Sequence, residues 1–241
     1  MKISIIMCVM NSMPYVMSSI ESFNRQKYKN KELIIVHTKS NDNTGEYLNS
    51  VNNKNIKKFY FNGKIYNSLN YGIKKAKGDL IGILHSDDVF YSDLTLNYLA
   101  NKYKENQYDI IYGNILYSDK NNLLKIKRDW SKIKIQKKYD IPPHTGVFLS
   151  KKIYNKLNYD CRYKISSDTD FLLRLFSRNY RSYYLNKYTT IMRMGGVSTN
   201  FHFLISKFYE DIRIFYKHNL SLLDYFKKVI VKLTLSLIKL Q

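Results

Sequence analysis

Along the first hundred residues, short runs of consecutive apolar residues alternate with segments whose apolar positions recur every three or four residues. The runs are typical of strands buried on both faces, and the spaced positions are typical of helices packed on a sheet. Their alternation predicts a parallel sheet with right-handed helical crossovers. Strands are predicted at 3–10, 32–36, 56–61 and 80–84, and helices at 14–26, 44–53, 65–76 and 93–103.

The pattern is less regular in the second half. It predicts strands at 109–113 and 147–149 and a helix at 168–178. If residues 222–240 are helical, their apolar side chains share one face, with Lys228, Lys232 and Lys239 away from it. Such a helix either lies on an anionic membrane surface or packs this face on its own domain. The apolar face consists of Leu222, Phe226, Val229, Ile230, Leu233, Leu237 and Leu240.

The amino-acid composition limits the number of domains and the kinds of partner that this protein can have. The 241 residues are 44% hydrophobic, enough for one large domain or a domain with an appendage. The net charge of +21 favours polyanionic partners. A nucleic-acid-binding protein is therefore one alternative, although the sequence contains no recognised module in which basic and aromatic residues are interleaved.

Cys8 and Cys161 lack metal-ligand spacing and fit a reducing compartment. The apolar stretch at the N-terminus is too short for a signal peptide, and no uncharged apolar run reaches 18 residues.

Two adjacent aspartates, Asp87 and Asp88, follow the apolar run at 80–84 directly. The carboxyl edge of an open α/β sheet is where such folds bind ligands. Two carboxylates there suit a hard divalent cation that in turn holds a diphosphate. Taken alone, the pair also fits a solvated turn, because Asp is common after strands.

Seven short segments around this pair occur in a fixed order along about 200 residues. Together they resemble the family-2 glycosyltransferases of GT-A fold. The resemblance implies an α/β fold with a Rossmann-like, mostly parallel central sheet flanked by helices, to which the residue pattern adds a C-terminal amphipathic helical tail. The segments are 3–7 with 11–12, 22–26, 32–36 with 40–44, 70–79, the acidic pair, 167–171 and 195–198.

The resemblance also implies a division of the chain and an activity. Residues 1–200 form the catalytic domain, with a nucleotide-sugar half at 1–115 and an acceptor half at 116–200, and 201–241 form the basic tail. The expected reaction is inverting and metal-dependent. It moves one hexose or N-acetylhexosamine from a nucleotide sugar, with a UDP-sugar expected, to a hydroxyl of a lipid-linked glycan. The basic tail, rather than the resemblance, suggests that the acceptor is lipid-linked. It thereby suggests surface polysaccharide synthesis, such as that of O-antigen in lipopolysaccharide, by a cytoplasmic enzyme attached peripherally to the inner face of the plasma membrane.

Site residues follow from the matched motifs. Asp88 is the predicted ligand of Mn or Mg, and Asp87 is expected to contact the ribose or to support the metal site. Asp168 is the predicted base that activates the acceptor hydroxyl, although a helix N-cap is the alternative reading. His144 and Asp170 are predicted to contact the acceptor, with a purely structural role as the alternative for each. The predicted donor-binding set is completed by Cys8, Asn11, Thr38, Asn67 and Arg193.

One departure from the family pattern concerns the nucleotide base. His37 and Thr38 stand where the family has one or two acidic residues after its second strand. Base selectivity is therefore open, and a non-catalytic glycan-binding relative is a further alternative. The Gln-x-x-Arg-Trp signature of processive synthases is absent, since the only tryptophan is Trp130. Transfer of a single sugar is expected.

Overall fold

The computed structural model describes residues 1–131, 140–195 and 201–237. The elements confirm the predicted alternation in the first half, with boundaries that differ by a few residues. Its strands are β1 (Ile3–Val9), β2 (Lys31–His37), β3 (Ile56–Tyr60), β4 (Leu80–Ile83) and β5 (Val89–Phe90), and its helices are α1 (Tyr15–Asn24), α2 (Thr44–Ser50), α3 (Ile65–Lys75) and α4 (Thr95–Asn106).

The second half contains more strands than the sequence predicted. The strands at Ile126–Trp130 and Ser182–Arg193 were not predicted, nor was β5 of the first half, and a single turn of 3-10 helix at His144–Gly146 precedes the strand at Val147–Ser150. The remaining elements are β6 (Ile110–Ser118), β7 (Ile126–Trp130), β8 (Val147–Ser150), α5 (Lys151–Tyr154), α6 (Ser167–Phe176), β9 (Ser182–Arg193), α7 (Phe201–Lys217) and α8 (Leu222–Leu237).

The strands form one sheet in the order β3-β2-β1-β4-β8-β6-β9-β5, with β7 paired to β6. The four strands β3, β2, β1 and β4 are parallel, as predicted. Beyond them the sheet is mixed, because β8 is antiparallel to both β4 and β6, whereas β6 and β9 are parallel. The change of direction begins next to β4, the strand that carries the acidic pair.

Helices cover both faces of this sheet. Alternate side chains of a strand point to opposite faces, so Ile5 of β1 packs with the layer formed by α1, α2 and α4. Ile6 packs with the layer formed by α3, α5 and α6. α3 approaches the sheet closely at Gly72, where a Cβ atom would lie 2.7 Å from the Ile6 side chain. Because β1 pairs in parallel with β2 and β4, the carboxyl ends of these three strands lie at one edge of the sheet.

The tail forms two helices, α7 and α8, that pack on α6 through a small apolar cluster. Leu173 of α6 contacts this cluster, which contains Phe215 of α7 and Tyr225 of α8, with Val229 partly buried against it. The predicted apolar face of the last helix is therefore divided: the Val229 side packs on the domain, whereas Leu222, Phe226 and Ile230 are exposed. Leu240 and Lys239 lie outside the described residues. No helix in the described part of the chain is long and apolar enough to cross a membrane.

Candidate active site

Three loops meet at the carboxyl edge of the parallel strands. Ser12 Oγ, after β1, lies 2.8 Å from Ser86 Oγ, after β4. The Asn41 N–H, after β2, donates to Asn11 Oδ1 at 2.7 Å. Asn11 has a φ of 48°, in the left-handed region that Asn enters more readily than most residues. The strand order therefore brings Asn11 and the acidic pair to one edge.

The carboxylate of Asp88 is buried and hydrogen-bonded at one oxygen only. Its Oδ1 accepts from the backbone N–H of Arg193 at 3.0 Å, whereas Oδ2 has no hydrogen-bond partner among the described atoms. Burial, followed by the charge of Asp87, raises the pKa of Asp88 well above its usual range. Burial also raises the pKa of Asp87. A buried carboxylate with a free oxygen, next to a half-buried one, is a suitable ligand set for a hard divalent cation, so this pair fits Mg or Mn.

Such a cation would need further ligands from a bound molecule. Within residues 1–131, 140–195 and 201–237, no three His, Cys, Asp or Glu side chains form a group that holds a metal by themselves. The oxygens of a diphosphate are ligands of the same hard class. The donor set therefore fits a metal that is shared between Asp88 and a phosphorylated ligand.

Positive side chains lie beside the acidic pair. Arg193 ends β9, and its guanidinium donates to the Lys120 carbonyl at 2.9 Å and to Ser18 Oγ at 3.2 Å. It also lies over the Tyr15 ring, 5.0 Å from the ring centroid. The charges of Arg193 and Lys120 both oppose the rise in the pKa of Asp87. Lys120, in the turn after β6, was not predicted as a site residue.

Only the first residue of the glycine-rich motif at 195–198 is described by the structure. Gly195 has a φ of 108°, and residues 196–198 lie outside the described residues.

A second cluster joins His144 to Asp168. His144 Nδ1 lies 3.3 Å from Asp168 Oδ2. The Tyr66 hydroxyl, which donates to the Ile165 carbonyl, lies 3.4 Å from Asp168 Oδ1. The His144 ring also meets the His85 ring edge-on, with centroids 4.7 Å apart. His85 lies in the loop between β4 and the acidic pair. The contact between the two rings therefore links this loop to the cluster of His144 and Asp168. Burial is the main cause that lowers the pKa of His85 to about 3, which keeps its ring neutral.

Asp170 lies two residues from Asp168 but contacts different partners. Its side chain is fully buried, and Oδ2 accepts from Arg174 Nε at 2.7 Å. Oδ1 accepts from Lys217 Nζ at 2.8 Å and lies 3.1 Å from His218 Nε2. These contacts join α6 to the end of α7. The structure therefore does not bring Asp170 together with His144 and Asp168, and its predicted acceptor contact stays a prediction.

The other predicted donor-binding residues differ in their surroundings. Thr38 lies at the same edge as Asn11, because its N–H donates to the Val9 carbonyl at 3.3 Å. Cys8 pairs with Val36 in the β1–β2 ladder, and burial raises the pKa of its thiol to about 12, so it stays protonated. Asn67 is exposed on α3, next to Tyr66 of the His144–Asp168 cluster. Their roles in donor binding stay predictions.

Comparison with known proteins identifies the family. The model of the family described as Glycosyl transferase family 2 matches residues 4–189, which is most of the chain. The chain belongs to glycosyl transferase family 2. An uncharacterised glycosyltransferase of Methanocaldococcus jannaschii is 30% identical over 193 residues, covering 74% of this chain and 66% of the relative.

Solved structures show that the fold is GT-A, as expected for family 2. TarS of S. aureus, residues 1–349 in complex with UDP, superposes with a TM-score of 0.67 at 18% identity, covering 90% of this chain and 65% of that TarS fragment. The mannosyltransferase PcManGT of Pyrobaculum calidifontis, in complex with GDP-Man and Mn2+, gives 0.66 at 14% identity, covering 90% of this chain and 63% of that protein. The chain spans only 23% to 33% of the length of three rickettsial relatives that it matches.

Proposed function

We propose that this family-2 chain is an inverting, metal-dependent glycosyltransferase that moves a single hexose or N-acetylhexosamine from a nucleotide sugar to a hydroxyl of a lipid-linked glycan. The observation that carries the proposal is the acidic pair, in which Asp88 is buried with a free Oδ2 and the positive charges of Arg193 and Lys120 lie beside Asp87. A sugar nucleotide leaves as a diphosphate, whose developing charge needs such positive groups and a cation.

The donor half of the reaction depends on the acidic pair. Asp88 would hold Mg or Mn, which when bound neutralises charge on the departing diphosphate. Two proteins of the same fold support this, since TarS was solved with UDP and with UDP-GlcNAc, and PcManGT with GDP-Man and Mn2+. A UDP-sugar is the proposed donor. Recognition of its base has to differ from the usual acidic contact, because His37 packs edge-on against the Tyr60 ring at this place.

The acceptor half depends on the cluster of His144 and Asp168. An acceptor hydroxyl that attacks the anomeric carbon must lose its proton, and a placed base contributes about 10²–10⁴-fold to such a step. One base and one displacement invert the anomeric configuration. The proposed product is a glycan extended by one sugar, as in bacterial surface polysaccharide synthesis.

The test is a screen of nucleotide sugars with the purified protein, with and without Mn2+ or Mg2+ and with lipid-linked acceptors. We expect metal-dependent release of the nucleotide from one donor, faster with acceptor present and abolished by EDTA. Salt-sensitive DNA binding without nucleotide release from any donor would instead favour the nucleic-acid alternative. Donor or glycan binding without turnover would favour a non-catalytic relative.

The tail is proposed to hold the enzyme at the inner face of the plasma membrane, where lipid-linked acceptors are found. We define the tail face as the exposed side chains of Phe208, Tyr209, Leu222, Phe226 and Ile230, whose exposed fractions are 39%, 64%, 41%, 50% and 57%. The tail face is continuous across both helices because the Tyr225 ring contacts Phe208 and Phe226. Basic side chains on the same helices, including the exposed Arg213 and Lys227, suit anionic headgroups.

Changing Phe226 and Ile230 together to Ser should release the protein from vesicles that contain phosphatidylglycerol. Each substitution removes exposed apolar surface that would enter the lipid interface, and Tyr225 and Val229 still pack on the domain. Co-sedimentation with vesicles measures binding. Leu94→Ser is the matched control, since Leu94 is 42% exposed before α4 and outside the tail face.

Deletion of residues 222–241 should likewise move the protein from the membrane to the soluble fraction of cells. Unchanged fractionation of the deletion variant, or equal vesicle binding by the double variant and Leu94→Ser, would contradict membrane attachment through the tail face. Equal binding to neutral phosphatidylcholine vesicles would contradict the part assigned to the basic side chains.

A further inference from the structure

We propose that Glu210 of α7 is a positioning residue for Asp168, the predicted base, so that the first helix of the tail completes the active site. The inference rests on the proposed glycosyl transfer and deepens it on the acceptor side. The sequence predicted a catalytic domain at 1–200 and a separate basic tail at 201–241. The contacts between α7 and the segment that carries Asp168 argue against this boundary.

Glu210 binds the backbone just before Asp168. Its Oε1 accepts the N–H of Lys164 at 2.8 Å, and its Oε2 accepts the N–H groups of Ile165 and Ser166, both at 2.9 Å. Ser166 is the N-cap residue of α6, and N–H groups at this end of a helix have no partner within the helix. Hydrogen bonds to a carboxylate are stronger than those to a neutral acceptor. One side chain of α7 therefore fixes three consecutive residues that lead to Asp168.

Lys207 supports the same loop from one turn earlier in α7. Residues three and four apart lie on one face of a helix, so Lys207 shares its face with Glu210 and Asp211. Its Nζ donates to Ser166 Oγ at 3.2 Å and to Asp211 Oδ2 at 2.9 Å. Asp211 is buried, and its carboxylate holds the ammonium group beside the start of α6. This face of α7 thus contacts both the backbone and a side chain of the loop.

The contacts of α7 lie on both sides of Asp168 along the chain. Before it are the bonds to 164–166. After it, Asp170 accepts from Lys217 Nζ at 2.8 Å and lies 3.1 Å from His218 Nε2, at the end of α7. Asp168 itself is in the first turn of α6. Its backbone is therefore held between two points of attachment to the same helix.

Electrostatics keep the Asp168 carboxylate ionised, so its position is what α7 has left to set. Burial alone would raise the pKa of Asp168, but His144 and the charge of Lys207 hold it below its usual range. The Asp168 side chain is 30% exposed, so a substrate can reach it. Its efficiency as a base then depends on its distance and direction to the acceptor hydroxyl. A misplacement of about 1 Å at a reacting group costs up to about 10²-fold in rate.

The experiment removes the carboxylate of Glu210. Glu210→Ala should lower kcat by about 10²-fold with little change in the KM of the donor, because the loop before Asp168 loses its attachment while the acidic pair is untouched. Glu210→Gln should lie between Glu210→Ala and the wild type, since an amide oxygen can still accept two of the three N–H groups. Glu105→Ala is the matched control, because Glu105 is the exposed partner of Lys102 on α4. Wild-type kcat in Glu210→Ala, or a loss confined to the KM of the donor, would overturn the proposal.

A double-mutant cycle separates positioning from a general loss of structure. If Glu210 acts through Asp168, adding Glu210→Ala to Asp168→Asn should lower the residual rate no further, because residues that act as a unit are not additive. Losses that multiply in the double variant would mean that Glu210 acts independently of Asp168. That result would assign Glu210 a purely structural role and would overturn the proposal.

Two spectroscopic measurements do not require turnover. The amides of Ile165 and Ser166 should exchange hydrogen about tenfold faster or more in Glu210→Ala, as expected when a hydrogen bond to a charged group is lost. The NMR signal of the His144 ring should also shift, because His144 Nδ1 lies 3.3 Å from Asp168 Oδ2 and senses where that carboxylate is. An unchanged His144 signal would overturn the proposal. If the wild-type protein turns over no donor, the proposed function fails, and these signals still test the link from Glu210 to Asp168 separately.

Discussion

Asp88→Asn should lower kcat by about 10³-fold, because a metal that neutralises a leaving diphosphate supplies several kcal/mol of stabilisation to the transition state. The amide keeps Oδ1, so the hydrogen bond from the Arg193 N–H at 3.0 Å is retained. It loses the charge and replaces the free Oδ2 by an NH2 group that repels a cation. The measurement is the initial rate of transfer over a range of Mn2+ and Mg2+ concentrations.

Two further substitutions serve as controls for Asp88→Asn. Asp87→Asn should reduce the rate less and mainly raise the KM of the donor, since Asp87 is predicted to contact the ribose or to support the metal site. Asp93→Asn should be close to wild type, because Asp93 is an exposed partner of Arg25. Equal losses in Asp87→Asn and Asp88→Asn would contradict the assignment of Asp88 as the direct ligand.

Stability of the metal-free protein serves as the check on folding. Because burial raises the pKa of Asp88, its ionised form costs folding free energy, and the neutral amide removes that cost. The metal-free Asp88→Asn protein should therefore unfold at the same temperature as the wild type or higher. Added Mn2+ together with UDP should raise the unfolding temperature of the wild type only. A lower unfolding temperature in the variant would mean that its lost activity reflects misfolding.

The parallel half of the fold was predictable because its signals are local. β1 and β2 are nearly uninterrupted apolar runs, and the spacing of Leu69 and Ile73 identifies the buried side of α3. Even the interruption at Ser4 fits a buried strand, because its hydroxyl donates to Glu32 Oε1 at 2.7 Å. The acidic pair follows such a run, so its place at the carboxyl edge followed from the same pattern.

The mixed half of the sheet was less predictable because its strands depend on distant partners. β9 is rich in tyrosine and polar residues, and it becomes a strand by pairing with β6 along nearly its whole length. That pairing brings Arg193 to Asp88 and places Lys120 nearby. Neither contact has a local signal, since Arg193 and Asp88 are 105 positions apart in sequence. The pairing of His144 with Asp168 is hidden for the same reason.

The position of Asp170 did carry a local signal. Successive helical residues are rotated by about 100°, so residues two apart point in nearly opposite directions. If Asp168 of α6 faces the site, Asp170 faces away from it. The structure shows the Asp170 carboxylate against the end of α7, in contact with Lys217 and His218. This geometry argues for a role in holding the tail on the catalytic domain.

Asp170→Asn should therefore lower the free energy of unfolding by about 3 kcal/mol. This value is at the low end of the cost of breaking a buried ion pair, because the side chains of Lys217 and Arg174 are partly exposed to solvent. For a chain of this size the unfolding temperature should fall by about 6–12 °C. Burial alone would raise the pKa of Asp170, but His218, Lys217 and Arg174 hold it below its usual range. The ionised carboxylate therefore stabilises the folded protein fully at pH values above the ordinary pKa of a carboxyl group. This stabilisation is lost as the pH falls towards the lowered pKa that Asp170 has in the folded protein.

Denaturant unfolding at several pH values measures this difference, which should be full near pH 7 and shrink below about pH 4. Asp160→Asn is the matched control, since Asp160 also lies near Lys217, at 3.7 Å, but pairs mainly with the exposed Arg162. Its cost should stay below about 1 kcal/mol, as for surface pairs. An Asp170→Asn protein of wild-type stability with a raised acceptor KM would instead support the contact that the sequence predicted. It would contradict the structural role assigned to Asp170 from its contacts with Lys217, Arg174 and His218.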